Sequence, residues 1–189
     1  IPVINALTDL EHPCQALACL QTLREHWGKT HGKRMVFIGD GNNVAHSLML
    51  LAPHAGMDFV MCCPAGFEPD AAIERDAEAL AKSSGVSYER LTDPSKAVRN
   101  ADIVYTDVWA SMGQEDETEK RAKIFAPYRV DDALMAKAKP GCLVSHCLPA
   151  HRGAEIASDV LDGPNSIAFD EAENRLHAQK AVLFHTLRP

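Results

Sequence analysis

The sequence is short of basic residues. Its 189 residues include 19 Lys and Arg against 26 Asp and Glu, which gives a formal net charge of −7. Binding to nucleic acid or to an anionic membrane depends on a cationic surface, so we expect neither as a partner. A membrane helix is not predicted, because the longest uncharged run, 41–57, is shorter than about 20 apolar residues and contains Asn, His and Pro.

The sequence also lacks paired-cysteine motifs. The cysteines are Cys14, Cys19, Cys62, Cys63, Cys142 and Cys147. No two of them have the C-x-x-C spacing of a zinc knuckle or a redox dithiol. His146, Cys147 and His151 match no common zinc signature, so we predict no metal site. Because a chain of this length holds a core without disulfides, we expect reduced thiols and a cytoplasmic location.

The first residues do not have the pattern of a signal peptide. Residues 1–5 contain neither the basic segment nor the apolar core of a signal peptide. The first residue is Ile rather than Met. We therefore interpret the chain as a piece of a longer polypeptide.

Short apolar runs and helical patterns alternate along the chain. Strands are predicted at 34–39, 58–63, 86–91, 102–106 and 141–146, with a short sixth at 166–169, and helices at 43–55, 69–84, 94–100 and 130–139. This alternation with short connections predicts a single α/β domain over 1–189. Its fold class is an open, mostly parallel, doubly wound (Rossmann-like) sheet with helices on both faces.

The two ends of the chain are predicted to form longer helices. Thr8–Glu11 fits a capping box that would open a helix over about 9–27, and a final helix is predicted over 170–187. The stretch 107–128 is charged and has few turn-forming glycines, so we interpret it as a long irregular loop. Such loops in compact domains are usually functional or mobile.

Four clusters of unusual residues fall at predicted strand or helix ends, where open α/β sheets bind ligands. The clusters are HPCQ (12–15), GDGNN (39–43), DVWASMG (107–113) and HCLP (146–149). Each has a simpler interpretation when taken alone. His12 and Asp107 could cap a helix or loop, and Cys147 could be a small buried apolar residue.

The GDGNN cluster also allows a dinucleotide site. Gly39 and Gly41 begin a G-x-G-x-x-G pattern, but Val44 stands at the third glycine, and no acid follows the second strand. The pattern therefore disfavours a nicotinamide cofactor, and we predict no cofactor. Asn42 is interpreted as a helix N-cap, which leaves Asn43 unexplained.

Taken together, the clusters resemble the ornithine branch of the aspartate/ornithine carbamoyltransferase family, specifically its C-terminal, ornithine-binding half. The matching stretches are HPCQ (12–15), GDGNN (39–43), DVWASMGQE (107–115), HCLPAHRG (146–153) and FDEAENRLHAQKA (169–181). The resemblance covers essentially the whole chain. The SMG sequence distinguishes the ornithine branch from the aspartate branch.

The resemblance implies transfer of a carbamoyl group from carbamoyl phosphate to the δ-amine of L-ornithine, giving L-citrulline and phosphate. It assigns carbamoyl-phosphate binding to His12, Pro13, Cys14, Gln15, Cys147, Leu148 and Arg175. It assigns ornithine binding to Asn43, Asp107, Ser111 and Met112. Asp107, Cys147 and Arg175 would act at the reacting centre. It also implies a cis peptide bond before Pro149.

One element of the family is missing from the sequence. The phosphate loop Ser-Thr-Arg-Thr of the family lies in its N-terminal half, and here no Arg is followed by Thr. The resemblance therefore implies a partner, the N-terminal carbamoyl-phosphate domain, against which both terminal helices would pack, and a homotrimer as the complete enzyme. The alternatives are a non-catalytic ornithine-binding or regulatory module, and a carbamoyltransferase for a related amine.

Overall fold

The computed structural model of the protein describes residues 1–110 and 118–187. The helices are α1 (Pro13–Trp27), α2 (Asn43–His54), α3 (Ala71–Ser84), α4 (Pro94–Ala97), α5 (Thr118–Phe125), α6 (Asp132–Met135), α7 (Ser158–Leu161) and α8 (Ala168–Thr186). The strands are β1 (Arg34–Ile38), β2 (Asp58–Cys62), β3 (Tyr88–Leu91), β4 (Ile103–Thr106) and β5 (Leu143–His146).

These five strands form one sheet, and every pair of neighbours in it is parallel. The strand order is β3-β2-β1-β4-β5. The chain therefore moves outward from β1 to β3, and then crosses to the other side of β1 to form β4 and β5. This reversal leaves a crevice beyond the carboxyl ends of β1 and β4, which is where open α/β sheets bind ligands.

Alternate side chains of the strands supply two separate cores. In β1, Met35 and Phe37 belong to a buried cluster that includes residues of α1, α2 and α3. Val36 and Ile38 belong to a second cluster, with residues of α4 to α7. Successive strand side chains point to opposite faces, so helices cover both faces. The predicted doubly wound parallel sheet is confirmed.

The start of the first helix was predicted wrongly. The predicted capping box at Thr8–Glu11 forms a turn instead: the Thr8 amide donates to the Glu11 carbonyl at 2.8 Å, and the Glu11 amide donates to Thr8 Oγ1 at 3.1 Å. The helix begins at Pro13, not at about residue 9. Proline disfavours the helical conformation at the residue before it and suits the first helical position.

The predicted sixth strand at 166–169 is also wrong. Ser166 forms one isolated bridge with Val144, and the Ile167 amide donates to the Val144 carbonyl at 2.9 Å. The chain then enters α8 at Ala168, because the residues that follow favour a helix. That helix ends within one residue of its predicted C-terminus.

Two further predictions were wrong in the middle of the chain. Only Asp132–Met135 is helical within the predicted helix at 130–139, because the Pro140–Gly141 turn must lead into β5. The stretch 107–128 is not wholly irregular, since α5 and a 3₁₀ turn at Ala126–Tyr128 lie within it. The buried ring of Phe125 anchors this segment, 4.8 Å from the ring of Phe67.

The last helix has an exposed apolar stripe, formed by Phe169, Leu176 and Leu183. These residues recur seven positions apart, which places them on one face of α8. The opposite face packs along α1. Among the described residues, no helix is long and apolar enough to cross a membrane.

Candidate active site

The candidate site lies at the carboxyl edge of the sheet, where the turn after β1 meets the ends of β4 and β5. Asp107 directly follows β4 and is buried there. Its Oδ2 accepts a hydrogen bond from Asn42 Nδ2 at 2.6 Å. Its Oδ1 lies 2.8 Å from the Cys147 sulfur and 2.7 Å from the Val108 amide, and accepts from both. Two side chains, one after β1 and one after β5, and a backbone amide after β4 therefore fix one carboxylate.

Asn42 has two roles in this arrangement. Its Oδ1 accepts from the amides of Val44 and Ala45, each at 3.1 Å, so the predicted N-cap of α2 is confirmed. Its Nδ2 remains free to donate to Asp107. The cap therefore sets the orientation of the amide that holds the carboxylate.

The GDGNN turn resembles a nucleotide loop because the packing around position 41 requires glycine. A Cβ at this position would lie 2.2 Å from the Pro69 nitrogen and 2.5 Å from the Glu68 carbonyl carbon. The Gly41 amide also donates to the Phe67 carbonyl at 2.9 Å. Glycine is therefore required here because another segment of the chain passes close to it, and no bound pyrophosphate is needed to account for it.

The thiol of Cys147 is protonated at neutral pH. Burial, and then the neighbouring charge of Asp107, raise the pKa of this thiol well above its ordinary value. The thiol is a hydrogen-bond donor to the carboxylate. It is therefore poorly suited to act as a nucleophile, which must be a thiolate.

Native protein at pH 8 should react slowly with a thiol reagent such as DTNB. Burial raises the pKa of Cys62, Cys63 and Cys142 to about 12, and that of Cys147 is also raised. A thiol is protonated below its pKa, so little thiolate is present at this pH. All six cysteines should react once denaturant is added. Rapid modification of Cys147 in native protein, located by mass spectrometry, would contradict this description.

His146 fixes the backbone that follows β5. Its Nδ1 accepts from the Leu148 amide at 2.8 Å, so the ring proton lies on Nε2, which is 3.2 Å from the Glu155 carboxylate. Burial would raise the pKa of Glu155, but hydrogen bonds from His146 and the His151 backbone hold it below its ordinary value. Leu148 adopts a positive φ of 56°, and the implied cis bond before Pro149 is present.

Asp107, His146 and Cys147 each offer a potential metal ligand, and these atoms lie within 4.8 Å of one another. The thiol already donates to Asp107, and His146 Nδ1 already accepts from Leu148. These hydrogen bonds account for the proximity, so we assign no metal to the cluster.

A second group of polar side chains joins α1 to α8. Gln15 is buried, and its Nε2 donates to Glu171 Oε1 at 2.6 Å, while its Oε1 accepts from Arg175. Glu171 and Arg175 are four residues apart, so they share one face of α8. When the Gln179 amide is turned with its oxygen towards Arg175, that oxygen also accepts from the guanidinium. The arginine is therefore held in place from both sides.

His12 lies directly before α1 and is mostly buried. Its amide donates to Ser47 Oγ at 2.8 Å. Burial, and then the charge of Arg175, lower the pKa of the His12 ring, against a hydrogen bond to the Ala6 backbone. The ring is thus neutral at neutral pH. Its buried Nδ1 has no hydrogen-bond partner within residues 1–110 and 118–187.

In the described part of the chain, several predicted site residues form no side-chain hydrogen bond with Asp107, Gln15 or Arg175. Asn43 Nδ2 donates to the Thr8 carbonyl at 2.7 Å and not to Asp107. Pro13 is the first residue of α1, and the Cys14 thiol lies 3.6 Å from the Asn5 carbonyl. Leu148 packs against the second core. Ser111 and Met112 lie outside the described residues.

Two contacts of the site were missed by sequence reasoning. Asn42 was interpreted only as a cap, and Glu171 was part of a matching stretch without an assigned role. The available signal for Glu171 was its position four residues before Arg175, on the same helical face. Its contact with Gln15 depends on tertiary packing.

A parallel sheet with polar side chains at its carboxyl edge is typical of ligand-binding α/β domains. Residues 31–186 match the family described as aspartate/ornithine carbamoyltransferase, Asp/Orn binding domain. The chain belongs to this family.

The relatives extend beyond this chain. Ornithine carbamoyltransferases of Thermococcus kodakarensis and Methanobrevibacter smithii are 56% and 54% identical over 97% and 100% of the chain. The chain spans only 58% and 62% of their lengths. The solved ornithine carbamoyltransferase of Pyrococcus furiosus has a TM-score of 0.93 and 56% identity, covering 97% of this chain and 58% of that one.

A solved acetylornithine transcarbamylase complexed with acetylcitrulline is also similar. It has a TM-score of 0.86 and 36% identity, covering 97% of this chain and 58% of that one. The fold alone therefore does not distinguish between the amines that these relatives' names contain.

Proposed function

We propose that this chain is the ornithine-binding half of an ornithine carbamoyltransferase. The complete enzyme would transfer the carbamoyl group of carbamoyl phosphate to the δ-amine of L-ornithine, giving L-citrulline and phosphate. The observation that carries the proposal is the buried Asp107 carboxylate at the crevice, fixed by Asn42 and Cys147. The names of the relatives support the same activity.

The carbamoyl group would lie between α1 and α8. It has a carbonyl oxygen that needs donors and an NH₂ group that needs an acceptor. Arg175 supplies a donor, and Gln15 Oε1, which faces Arg175, supplies an acceptor. The buried His12 Nδ1, which has no hydrogen-bond partner in the described part of the chain, is a further polar atom available to a ligand. Cys147 and Leu148 would line the reacting centre, as would Pro13 and Cys14 at the start of α1.

The amino-acid end of ornithine would lie at Asp107. A buried carboxylate is the partner that an α-ammonium group needs, because a buried charge must be paired. Asn43, Ser111 and Met112 would complete this end. For Asn43 to bind ornithine, its amide must exchange the Thr8 carbonyl for the substrate.

The δ-amine is itself the nucleophile, so no covalent intermediate is required. It must be uncharged and in line with the carbonyl carbon to attack. The neutral thiol of Cys147 would help to position this amine. Asp107 favours free ornithine over an N-acylated form, since an acylated nitrogen has no charge to pair.

The phosphate group would be bound elsewhere in the complete enzyme. The N-terminal carbamoyl-phosphate domain would supply the missing loop and would cover the exposed stripe of α8, where Leu176 is 62% exposed. The complete enzyme would be a cytoplasmic homotrimer or a multiple of it.

Asp107→Asn should weaken ornithine binding in the enzyme assembled from this chain and the N-terminal half of the Pyrococcus furiosus relative. The variant keeps the shape of the side chain and removes the charge opposite the α-ammonium. A hydrogen bond to a charged group contributes about 1.5–3 kcal/mol, so we expect the KM for ornithine to rise at least about tenfold. The KM for carbamoyl phosphate should change little.

Asp102→Asn is the matched control for this measurement. Asp102 lies just before β4, at the opposite edge of the sheet, and its carboxylate pairs with Lys139 at 2.7 Å. We expect it to leave the ornithine KM unchanged. An Asp107→Asn enzyme with unaltered ornithine KM and kcat would exclude this role for Asp107. Carbamoylation of N-acetylornithine in preference to ornithine would instead indicate the related-amine alternative.

A further inference from the structure

Glu171 is a carboxylate enclosed by hydrogen-bond donors. It is completely buried, and its Oε1 accepts from Gln15 Nε2 and from the Tyr105 hydroxyl, each at 2.6 Å. Its Oε2 accepts from Ser145 Oγ at 2.6 Å. Burial raises the pKa of Glu171, whereas hydrogen bonds from Ser145, Tyr105 and Gln15 act in the opposite direction. The donors therefore hold the carboxylate in one place between the sheet and α1.

Gln15 lies between two groups that each permit a single amide orientation. A carboxylate only accepts hydrogen bonds, and a guanidinium only donates them. Gln15 Nε2 faces Glu171 and Oε1 faces Arg175, so both ends are satisfied. The reversed amide would place its oxygen against the carboxylate and its NH₂ group against the arginine.

We propose that Glu171 is a positioning residue that fixes the amide of Gln15 with its oxygen towards the carbamoyl site. The inference rests on the proposed function, because it assigns Gln15 Oε1 to the NH₂ group of carbamoyl phosphate. With the amide so fixed, the site offers an acceptor to that NH₂ group and the Arg175 donor to the carbonyl oxygen. Once the Arg175 guanidinium donates to the carbonyl oxygen of the ligand instead of to Gln15, only Glu171 remains to fix the amide. A freely turning amide would then offer an acceptor for only part of the time.

This arrangement also provides selectivity between acyl phosphates. Acetyl phosphate has the same phosphate and carbonyl groups as carbamoyl phosphate, but a methyl group replaces the NH₂. It gains nothing from an acceptor at Gln15. Loss of the amide orientation should therefore weaken carbamoyl phosphate binding and leave acetyl phosphate binding unchanged.

The main variant of the test leaves no buried hydroxyl donor without an acceptor. The triple variant Glu171→Leu, Tyr105→Phe, Ser145→Ala removes the carboxylate together with two of its donors, an exchange that is far less disruptive than removing the acceptor alone. The double variant Tyr105→Phe, Ser145→Ala keeps Glu171 and is the matched control. Glu171→Gln is the conservative variant, since its amide oxygen can still accept from Gln15 while Ser145 Oγ accepts from its NH₂ group.

Two measurements are made on each variant. On the chain alone, NMR of ¹⁵N-labelled protein follows solvent exchange of the Gln15 side-chain NH₂ protons. In the enzyme assembled with the N-terminal half, kinetics give the KM values for carbamoyl phosphate and ornithine, and the inhibition constant of acetyl phosphate. For the triple variant we expect faster exchange and a carbamoyl phosphate KM raised by up to about tenfold, which is the upper scale of one hydrogen bond between uncharged groups.

The other values should stay close to wild type. The ornithine KM and the acetyl phosphate inhibition constant should change little in the triple variant, and the double variant and Glu171→Gln should resemble wild type throughout. Unaltered Gln15 exchange in the triple variant, or an equal rise of both KM values, would overturn the inference. Absence of turnover by the unmodified assembled enzyme would contradict the proposed function instead. The exchange measurement on the chain alone would still show whether Glu171 holds the Gln15 side-chain amide.

Discussion

The purified chain alone should form no citrulline above background from ornithine and carbamoyl phosphate. Carbamoyl phosphate is a dianion, and its phosphate gains charge as the bond to the carbamoyl carbon breaks. Preorganised cationic donors must stabilise that charge, and the loss of a single such donor can lower the rate by about 10²–10³. The sequence contains no Ser-Thr-Arg-Thr loop, and its net charge is −7.

The described arginines near the crevice do not replace the loop. Arg175 is engaged with Gln15 at the carbamoyl end. Arg121 is buried, forms an ion pair with Asp40, and lies 4.7 Å from the centre of the Phe67 ring. Its charge is therefore committed to the fold, where it attaches the start of α5 to the turn after β1.

Adding the N-terminal half of the Pyrococcus furiosus relative should restore turnover. The control is Leu176→Glu with Leu183→Glu, which places two charges on the exposed stripe of α8. It should prevent restoration without unfolding the chain, because both side chains are exposed. A citrulline assay with and without the added half checks both statements. Robust turnover by the chain alone would show that the phosphate-site argument is wrong.

Gly41→Ala should destabilise the chain more than a glycine-to-alanine change at a position where the new Cβ would meet open space. The new Cβ would lie 2.2 Å from the Pro69 nitrogen, and its close neighbours are backbone atoms that cannot move aside as a flexible side chain can. We expect the free energy of unfolding to fall by about 3 kcal/mol, at the upper end of overpacking effects. The turn that carries Asn42 must shift as well, which would loosen its contact with Asp107.

Gly85→Ala is the control for this prediction. Gly85 has a φ of 72° at the end of α3, and an added Cβ would meet nothing within 4 Å. It should therefore show only the conformational penalty of a left-handed residue, about 1–2 kcal/mol. Urea unfolding of both variants measures the difference. If Gly41→Ala lowers the free energy of unfolding by no more than Gly85→Ala does, the backbone at Pro69 must relax to accommodate the new Cβ.

Local pattern was sufficient for the parts of the fold that depend on neighbouring residues. The short apolar run beginning at Arg34 predicted a strand, and Asn42 before an apolar run predicted a cap. It failed where one local signal fits two structures. Thr8–Glu11 satisfies its hydrogen bonds in a turn as well as in a helix, and only Pro13 decides between them.

The site was less predictable than the fold for a physical reason. Its residues were found through resemblance, but their partners depend on distant packing. Gln15 and Glu171 are 156 residues apart in sequence, and no local signal pairs them. The sequence also could not decide which of Asn42 and Asn43 reaches Asp107, because adjacent residues differ only in the direction of their side chains.

The packing of α1 against α8 has a consequence for how the protein forms during synthesis. The chain is made from the N-terminus, so α1 leaves the ribosome before its partner helix exists. Part of the surface that α1 buries stays uncovered until α8, which begins at Ala168, has been made. Contacts this distant in sequence form slowly, because a long loop must close first. The carbamoyl end of the site is thus among the last parts of the domain to be completed, and a nascent chain that has finished all five strands still lacks it.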